Sequence, residues 1–476
     1  MQPVSLIAIL PELILAILTC LLFLIDPFVP RHRKTWMGYF ALGSLALSAL
    51  SLIPLWGRNL TAFHGMVVLD PYTLFFKWLF LLIAALVILI SILFVQIERI
   101  NIGEYYGLIL FATVGMMLIP ASSDMLSLYL SLELMSMSFY VLAAFMRKDP
   151  KSLESGMKYF LTGIFTSGLI LYGIAFLYGL TGTTHLGSIR AYLSGASPSP
   201  MLMLAMVFLI AGFGFKVAAV PFHMWTPDVY EGAPTPITAF LSTGSKIAVF
   251  AGMLRVFMTG LEFHYESWWP VLWLVAVLTM TVGNIAALLQ TQLKRLLAYS
   301  SIAQSGYLLI GLIAVKHGGL SALLIYSVAY AAMTLGAFAL IVLLCAGAVK
   351  GDRIDDFRGL ARRHPAVAAG FVLFALSLVG IPPTAGFVGK LLLFKAAIED
   401  QFYWLAIVGI LNSVISLYYY FKVVVAMYME DAESDHALSF SPALKTALIA
   451  LSLATLFIGL YPEPLIRIAV QSVGMF

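Results

Sequence analysis

The stretch GFGFKVAAVPFHMWTPDVYEGAPTP runs from Gly212 to Pro236, and its first half lies inside a long apolar run. Lys216, Pro221 and His223 fall there within eight residues. A charge at a helix centre costs about 2.5–3.5 kcal/mol on insertion scales. Proline removes a backbone donor that no water in hydrocarbon replaces. A segment carrying both must be buried in protein or line a hydrated cavity. Pro221 has no N–H, so the Val217 carbonyl loses its helical partner and becomes available to water or a side chain. Gly212 and Gly214 lower the cost of irregular backbone. Lys216 and His223 stand seven residues apart, two turns, which aligns them on one face if the break does not rotate them.

Composition sets the class around that stretch. The 476 residues are 62% hydrophobic and only 11% charged, with a mean hydropathy of +0.99. A soluble chain would carry about 25% charged residues, so this is an all-α polytopic membrane protein in contact with a lipid bilayer. The net charge of +4 resides in short loops and implies no nucleic-acid partner. Cys20 and Cys345 are the two cysteines, too few for an iron–sulfur cluster or a Cys-rich zinc site. No nucleotide-binding glycine fingerprint follows a strand. We therefore expect no metal and no cofactor in this chain. The first apolar run lacks a basic leader and a cleavage site, and reads as a retained helix.

A span needs about 20 apolar residues, and the sequence predicts fourteen, at 4–25, 36–56, 72–95, 105–120, 124–145, 153–181, 201–225, 235–259, 268–290, 297–315, 320–348, 366–399, 402–429 and 443–461. Loops after odd-numbered helices hold fifteen Lys and Arg; those after even-numbered helices, with the tail, hold four. That asymmetry places both termini on the periplasmic side. Helix seven breaks at Pro221 after Lys216, and helix twelve contains LVGIPPTAGFVGK, with Pro382, Pro383 and Lys390. The two breaks lie five helices apart on oppositely directed helices, as two inverted five-helix repeats predict. On this reading residues 1–103 form three leading helices, 104–259 the first repeat, 268–430 the second, and 443–476 the last helix and tail.

Six titratable residues stand in the predicted spans where their burial requires a reason: Glu133, Lys158, Lys216, His223, Lys246 and Lys390. Glu133 follows Asp124 by nine residues, roughly 14 Å along a helix. Lys77, Arg255, Lys395 and Lys422 instead read as snorkelling side chains whose stems carry the charge to the headgroups. Lys158 follows Glu154 by four residues, the spacing of a surface ion pair. A buried amine holds its proton less tightly than one in water, and a nearby carboxylate restores that hold. Moving Glu133 toward or away from Lys216 would then switch whether the amine keeps its proton. Driving one charge against 100 mV takes about 2.3 kcal/mol, within reach of such a switch.

Four stretches together resemble a known family. KVAAVPFHMWTPDVYEGAPTP, LYLSLELMSMSFYVLAAF, SGMKYFLTGIFTSGLILYG and LKRLLAYSSIAQSGYLLIGL are similar to the antiporter-like subunits of proton-pumping NADH–quinone oxidoreductase (respiratory complex I), shared with Mrp-type cation/proton antiporters. The last three resemble the N branch most closely. Lys390 also matches N and L rather than M, and the chain stops at Phe476 without the long lateral helix of L. The resemblance implies that Glu133 tunes the pump lysine Lys216 and that Lys246 connects. It places His223 on the hydrated axis, makes Lys390 the terminal lysine and assigns Lys158 as the helix-six lysine. It implies partners M, K and the lateral helix of L, a bacterial cytoplasmic membrane, and flavin, iron–sulfur clusters and quinone in other subunits. The alternatives are a subunit of an Mrp-type antiporter and a scaffold whose buried charges only fix helix packing.

Overall fold

The computed structural model describes residues 6–30, 34–98, 100, 102–345, 353–431, 438 and 441–474. Arg31, Arg33, Arg99 and Lys350, four of the basic loop residues counted above, lie outside the described residues, as does the side chain of Cys345. Among the described residues, twelve helices are long and apolar enough to cross a membrane. The other two predicted spans are the interrupted ones: Pro200–Lys216 followed by Trp225–Gly232, and Pro365–Val379 followed by Ala385–Glu399. The protein is thus an all-α, multi-pass membrane protein.

Many of these helices begin where the sequence announces a start. Asp70, Asp149, Ser199 and Ser441 each precede a proline. Each side chain accepts from a backbone N–H in the first turn, as in Thr73 N to Asp70 Oδ1 at 2.8 Å. The cap satisfies a donor the helix leaves orphaned, typically worth about 1 kcal/mol, and proline at the first position gives up no hydrogen bond. Several short elements escaped the sequence reading, among them the helix Leu186–Leu193. An antiparallel pair, Leu60–Ala62 with Val67–Leu69, joins the second and third helices; three residues per strand are too few to display a period of two. The tail folds as a helix, Glu463–Val473.

Burial sorts the bundle into centre and rim. The eighth helix, Thr235–Gly260, is buried throughout, and the tenth (Leu293–Ile313) and eleventh (Gly319–Cys345) are buried almost as fully. The first, sixth, ninth and fourteenth turn most of their surface outward. The eighth helix carries π-turns at Leu241–Ser245 and Val256–Gly260, on either side of the segment that begins with Lys246.

Two of the expected snorkelling residues do not snorkel. Lys77 is fully buried and pairs with Glu12 at 2.7 Å, its amine also reaching the Ala8 carbonyl at 3.2 Å. Arg255 is buried against Asp70 at 2.8 Å and donates to the Pro120 carbonyl and Thr73. Both partners come from distant sequence, so single-segment reasoning sent these charges to the headgroups when an acid was waiting inside. Lys395 is exposed and stands 3.7 Å from Glu399.

Candidate functional site

The fifth helix, Met125–Ala143, delivers Glu133 and Ser136, and the sixth, Pro150–Thr181, delivers Ser167. Lys216 ends its helical arm facing both. Its amine lies 3.6 Å from Glu133 Oε1 and donates to Ser136 Oγ at 2.8 Å and Ser167 Oγ at 3.3 Å. Ser167 in turn donates to Glu133. Lys216 is 5% exposed, which rules out snorkelling. Glu133 therefore sits beside Lys216 and not Lys158, a choice the sequence left open.

Lys158 is elsewhere. Its side chain is 43% exposed and pairs at 2.7 Å with both Glu154 and Asp228. The i,i+4 pair foreseen from sequence is present, and Asp228 converts it into part of a charged cluster. Arg295 bonds Asp228 at 2.9 Å and Glu231 at 2.8 Å, while Lys151 bonds Glu231 at 2.8 Å. Glu231 lies between the predicted spans 201–225 and 235–259, next to last in the short arm Trp225–Gly232 at the loop face. Burial works to raise its carboxyl, but hydrogen bonds from Lys151 and Arg295 outweigh this and hold it below the ordinary value.

His223 does not share a face with Lys216. The helix stops at Lys216, Ala218 adopts a φ of 59°, and helix resumes only at Trp225. The break rotates the chain, so the two-turn spacing no longer applies. His223 is half-buried between exposed Pro221 and Met224. Among the described residues no hydrogen bond or ion pair joins it to Glu133 or to any of the site lysines.

The carbonyl that Pro221 frees is satisfied as the sequence required. Ser305 on the tenth helix donates to Val217 O at 2.7 Å. The same hydroxyl accepts from the Lys246 amine at 3.2 Å, and Lys246 also donates to Ser301 Oγ at 2.7 Å and Ser301 O at 2.9 Å. Ser301 continues to the Tyr330 hydroxyl at 2.7 Å. Lys246 is 1% exposed and has no carboxylate partner among the described residues.

Helix twelve solves the same problem with its own lysine. Pro382 and Pro383 free the carbonyls of Leu378 and Val379, four residues back. The Lys390 amine donates to these two oxygens at 3.0 and 2.9 Å and to Ser413 Oγ at 3.1 Å. It also stands 4.3 Å from the centre of the Tyr307 ring. Gln304 reaches Leu378 O at 3.2 Å and accepts from Tyr326. Ser301, Gln304 and Ser305, within two turns of one helix, thus connect the surroundings of Lys246 to those of Lys390.

Sequence reasoning missed these hydroxyl and amide groups, although Ser300, Ser301, Gln304 and Ser305 form a polar stripe on a helix otherwise fit for hydrocarbon. Hydroxyls both donate and accept, so they can relay a proton where an apolar wall would stop it. The arrangement is three buried amines, each bonded to hydroxyl or carbonyl oxygens, with a carboxylate beside Lys216. Among the described residues no group of three or more His, Cys, Asp or Glu could hold a metal.

Comparison with known proteins agrees with this architecture. Residues 122–416 match the family described as NADH:quinone oxidoreductase/Mrp antiporter, TM. NADH-quinone oxidoreductase subunit N of Trichlorobacter lovleyi is 44% identical, the alignment covering 100% of this chain and 98% of the relative. Subunit N of Moorella thermoacetica is 43% identical, covering 98% of each. A chain of respiratory complex I from Thermus thermophilus with bound aureothin superposes with a TM-score of 0.82 at 33% identity, covering 96% of this chain and 99% of that one. A chain of the Mrp complex from Dietzia superposes with a TM-score of 0.86 at 21% identity, covering 98% and 97%, and shares the fold. The chain belongs to the antiporter-like membrane subunits of NADH-quinone oxidoreductase, within the subunit N branch.

Proposed function

We propose that this chain is a proton-translocating membrane subunit of NADH-quinone oxidoreductase, moving protons along its buried amine file while quinone is reduced in other subunits. One observation carries the reading: a carboxylate 3.6 Å from an amine that is almost fully buried, on a helix broken at that point. With Glu133 close, the charged amine is stabilised; with Glu133 withdrawn, desolvation favours release of the proton. Serine hydroxyls next to Lys216 and Lys246 offer the next acceptors, and Lys390 ends the file. His223 and Lys158 stand apart from the file as drawn: His223 borders the break, and Lys158 anchors the loop-face cluster through which protons would approach. Flavin, iron–sulfur clusters and quinone would be held by other subunits, and this chain by itself would carry no cofactor.

Several finer assignments belong to the same reading. The basic loops support a bacterial cytoplasmic membrane location with both termini on the periplasmic side. The paired breaks support two inverted five-helix repeats, 104–259 and 268–430. The N-branch resemblance supports subunits M and K and the lateral helix of L as neighbours. The antiporter alternative rests on the family description, which names Mrp antiporters beside the oxidoreductase; co-purification with flavin and iron–sulfur subunits would decide against it.

The test is NADH-driven proton uptake in inverted membrane vesicles containing the assembled complex. Lys216→Ala and Lys246→Ala are expected to slow transfer through this channel about 100-fold, the scale of a positioned proton-transfer group. NADH oxidation with an artificial acceptor would stay normal. Unchanged uptake in both variants would favour the scaffold reading.

A further inference from the structure

A groove of about 320 Å³ opens between the end of the eleventh helix, the start of the first arm of helix twelve and the start of the fourteenth helix, Pro442–Leu460. Leu340, Val367 and Phe374 form its buried parts, and Ile449 and Leu453 are exposed along its rim. Ser452 is the one hydroxyl side chain among its lining residues. Lys445 closes one end and is exposed, with no ion pair among the described residues. Arg362 and Arg363 immediately precede the same arm of helix twelve; Arg362 is paired with Asp431 at 2.5 Å. The groove therefore has a basic end at the face with the Lys- and Arg-rich loops and an apolar body running into the bilayer.

Gly370 lines the groove and leaves it open on this side. A Cβ there would meet only Leu340 side-chain carbons, at 3.8 and 4.0 Å, which is ordinary contact. A methyl group is therefore accommodated at Gly370, and a longer side chain would extend from this lining position toward the groove. By contrast, glycines at tight crossings in this protein leave no room at all, as at Gly386.

We propose that this groove holds one acyl chain of an anionic phospholipid, whose phosphate is neutralised by Lys445. An apolar slot of this shape in a membrane-spanning chain suits hydrocarbon. The Lys445 ammonium at its mouth selects a negative headgroup, since a basic residue near an anionic membrane surface attracts it. The wall formed by helix twelve is the arm whose far end carries the Leu378 and Val379 carbonyls bound by Lys390. A bound chain would thus brace the arm that supports the terminal lysine.

The test uses the assembled complex in proteoliposomes containing either a photoactivatable phosphatidylglycerol or a photoactivatable phosphatidylcholine, with cross-linked peptides mapped by mass spectrometry. Phosphatidylglycerol adducts are expected to concentrate on the peptides around Gly370 and Leu448–Leu453. Lys445→Gln should lower them roughly five-fold, as expected for one basic residue near the surface. Gly370→Leu, which fills the slot without touching the charge, should lower both probes there while leaving adducts on other faces unchanged. Equal labelling by the two lipids, or insensitivity to both variants, would reduce the site to ordinary lipid contact and overturn the proposal. Absence of adducts there, with a cross-link from the same face to another subunit, would assign the groove to a protein neighbour and overturn it equally.

Discussion

Helices seven and twelve are broken by the same chemistry and repaired in opposite ways. In helix twelve, Lys390 turns back along its own helix and donates to the two carbonyls that Pro382 and Pro383 release. In helix seven the freed Val217 carbonyl is served by Ser305 from another helix, and Lys216 is left to face Glu133. A lysine tied to backbone oxygens has a fixed environment. One poised against a carboxylate has an environment that a small movement changes. The difference makes Lys216 the candidate switch and Lys390 a fixed end station. It also explains why lysine precedes proline in one helix and follows it in the other: only a lysine beyond the break can reach back over it.

The packing of the two breaks differs as well, which gives the contrast its largest expected consequence. At Gly386, just past the second break, an added Cβ would stand 1.8 Å from the Ser377 carbonyl oxygen, a collision with backbone. The equivalent atom at Gly214, just before the first break, would stand 3.2 Å from Phe222, a side chain able to give. Gly386→Ala should therefore destabilise by about 3 kcal/mol, the upper range for overpacking. Gly214→Ala should cost under ~1 kcal/mol, because alanine also gains helix propensity there. Differential scanning of the detergent-solubilised complex would report this as a large and a small drop in unfolding temperature. Equal drops would mean that the breaks are packed alike.

A smaller effect belongs to the cross-helix repair. Ser305→Ala leaves the buried Val217 carbonyl without its donor and takes one of three oxygens from Lys246. We expect a loss of about 1–2 kcal/mol, the price of an unsatisfied buried acceptor. Ser305→Thr, which keeps the hydroxyl, should recover part of it in the same scan.

The smallest effect sits at the loop face. The Glu231 carboxyl is held below its ordinary value, so its interactions with Lys151 and Arg295 stabilise the fold at pH above the unfolded value, near 4. That contribution drains away as pH falls through the depressed folded value. Glu231→Gln should lower stability modestly across the neutral region and change little below the depressed folded value, so that the acid limb of the stability–pH curve flattens. The pairs are partly exposed, so the change is a fraction of what buried charges would give.

Much of the fold was legible because hydrocarbon forbids unpaired backbone: twenty-residue apolar runs and D-P or S-P starts mark the helices, and loop lysines and arginines check their number. The burial of Lys216, Lys246 and Lys390 was legible, but apart from the local Glu154–Lys158 pair the partners of the buried charges were not. Lys77 and Glu12 are 65 residues apart, and Arg255 and Asp70 are 185 apart. No local pattern joins them, so both cations were expected at the headgroups. The shared face of Lys216 and His223, which required an unrotated break, is absent for a different reason: helix stops at Lys216 and resumes only at Trp225. The Val217 carbonyl succeeded because its argument used only one missing N–H. Ser301, Gln304 and Ser305 were missed since hydroxyls and amides cost little enough in a helix to raise no alarm, although four polar residues on one buried stripe carry the signal.

The central claim is that Glu133 acts through Lys216, and a double-mutant cycle on NADH-driven proton uptake tests it most directly. Glu133→Gln, Lys216→Ala and the combined variant would be compared in the same vesicles, with NADH oxidation as the control. If the carboxylate works by controlling the amine's proton, the combined variant should be no slower than Lys216→Ala alone. Losses that multiply, or normal uptake in either single variant, would contradict the account.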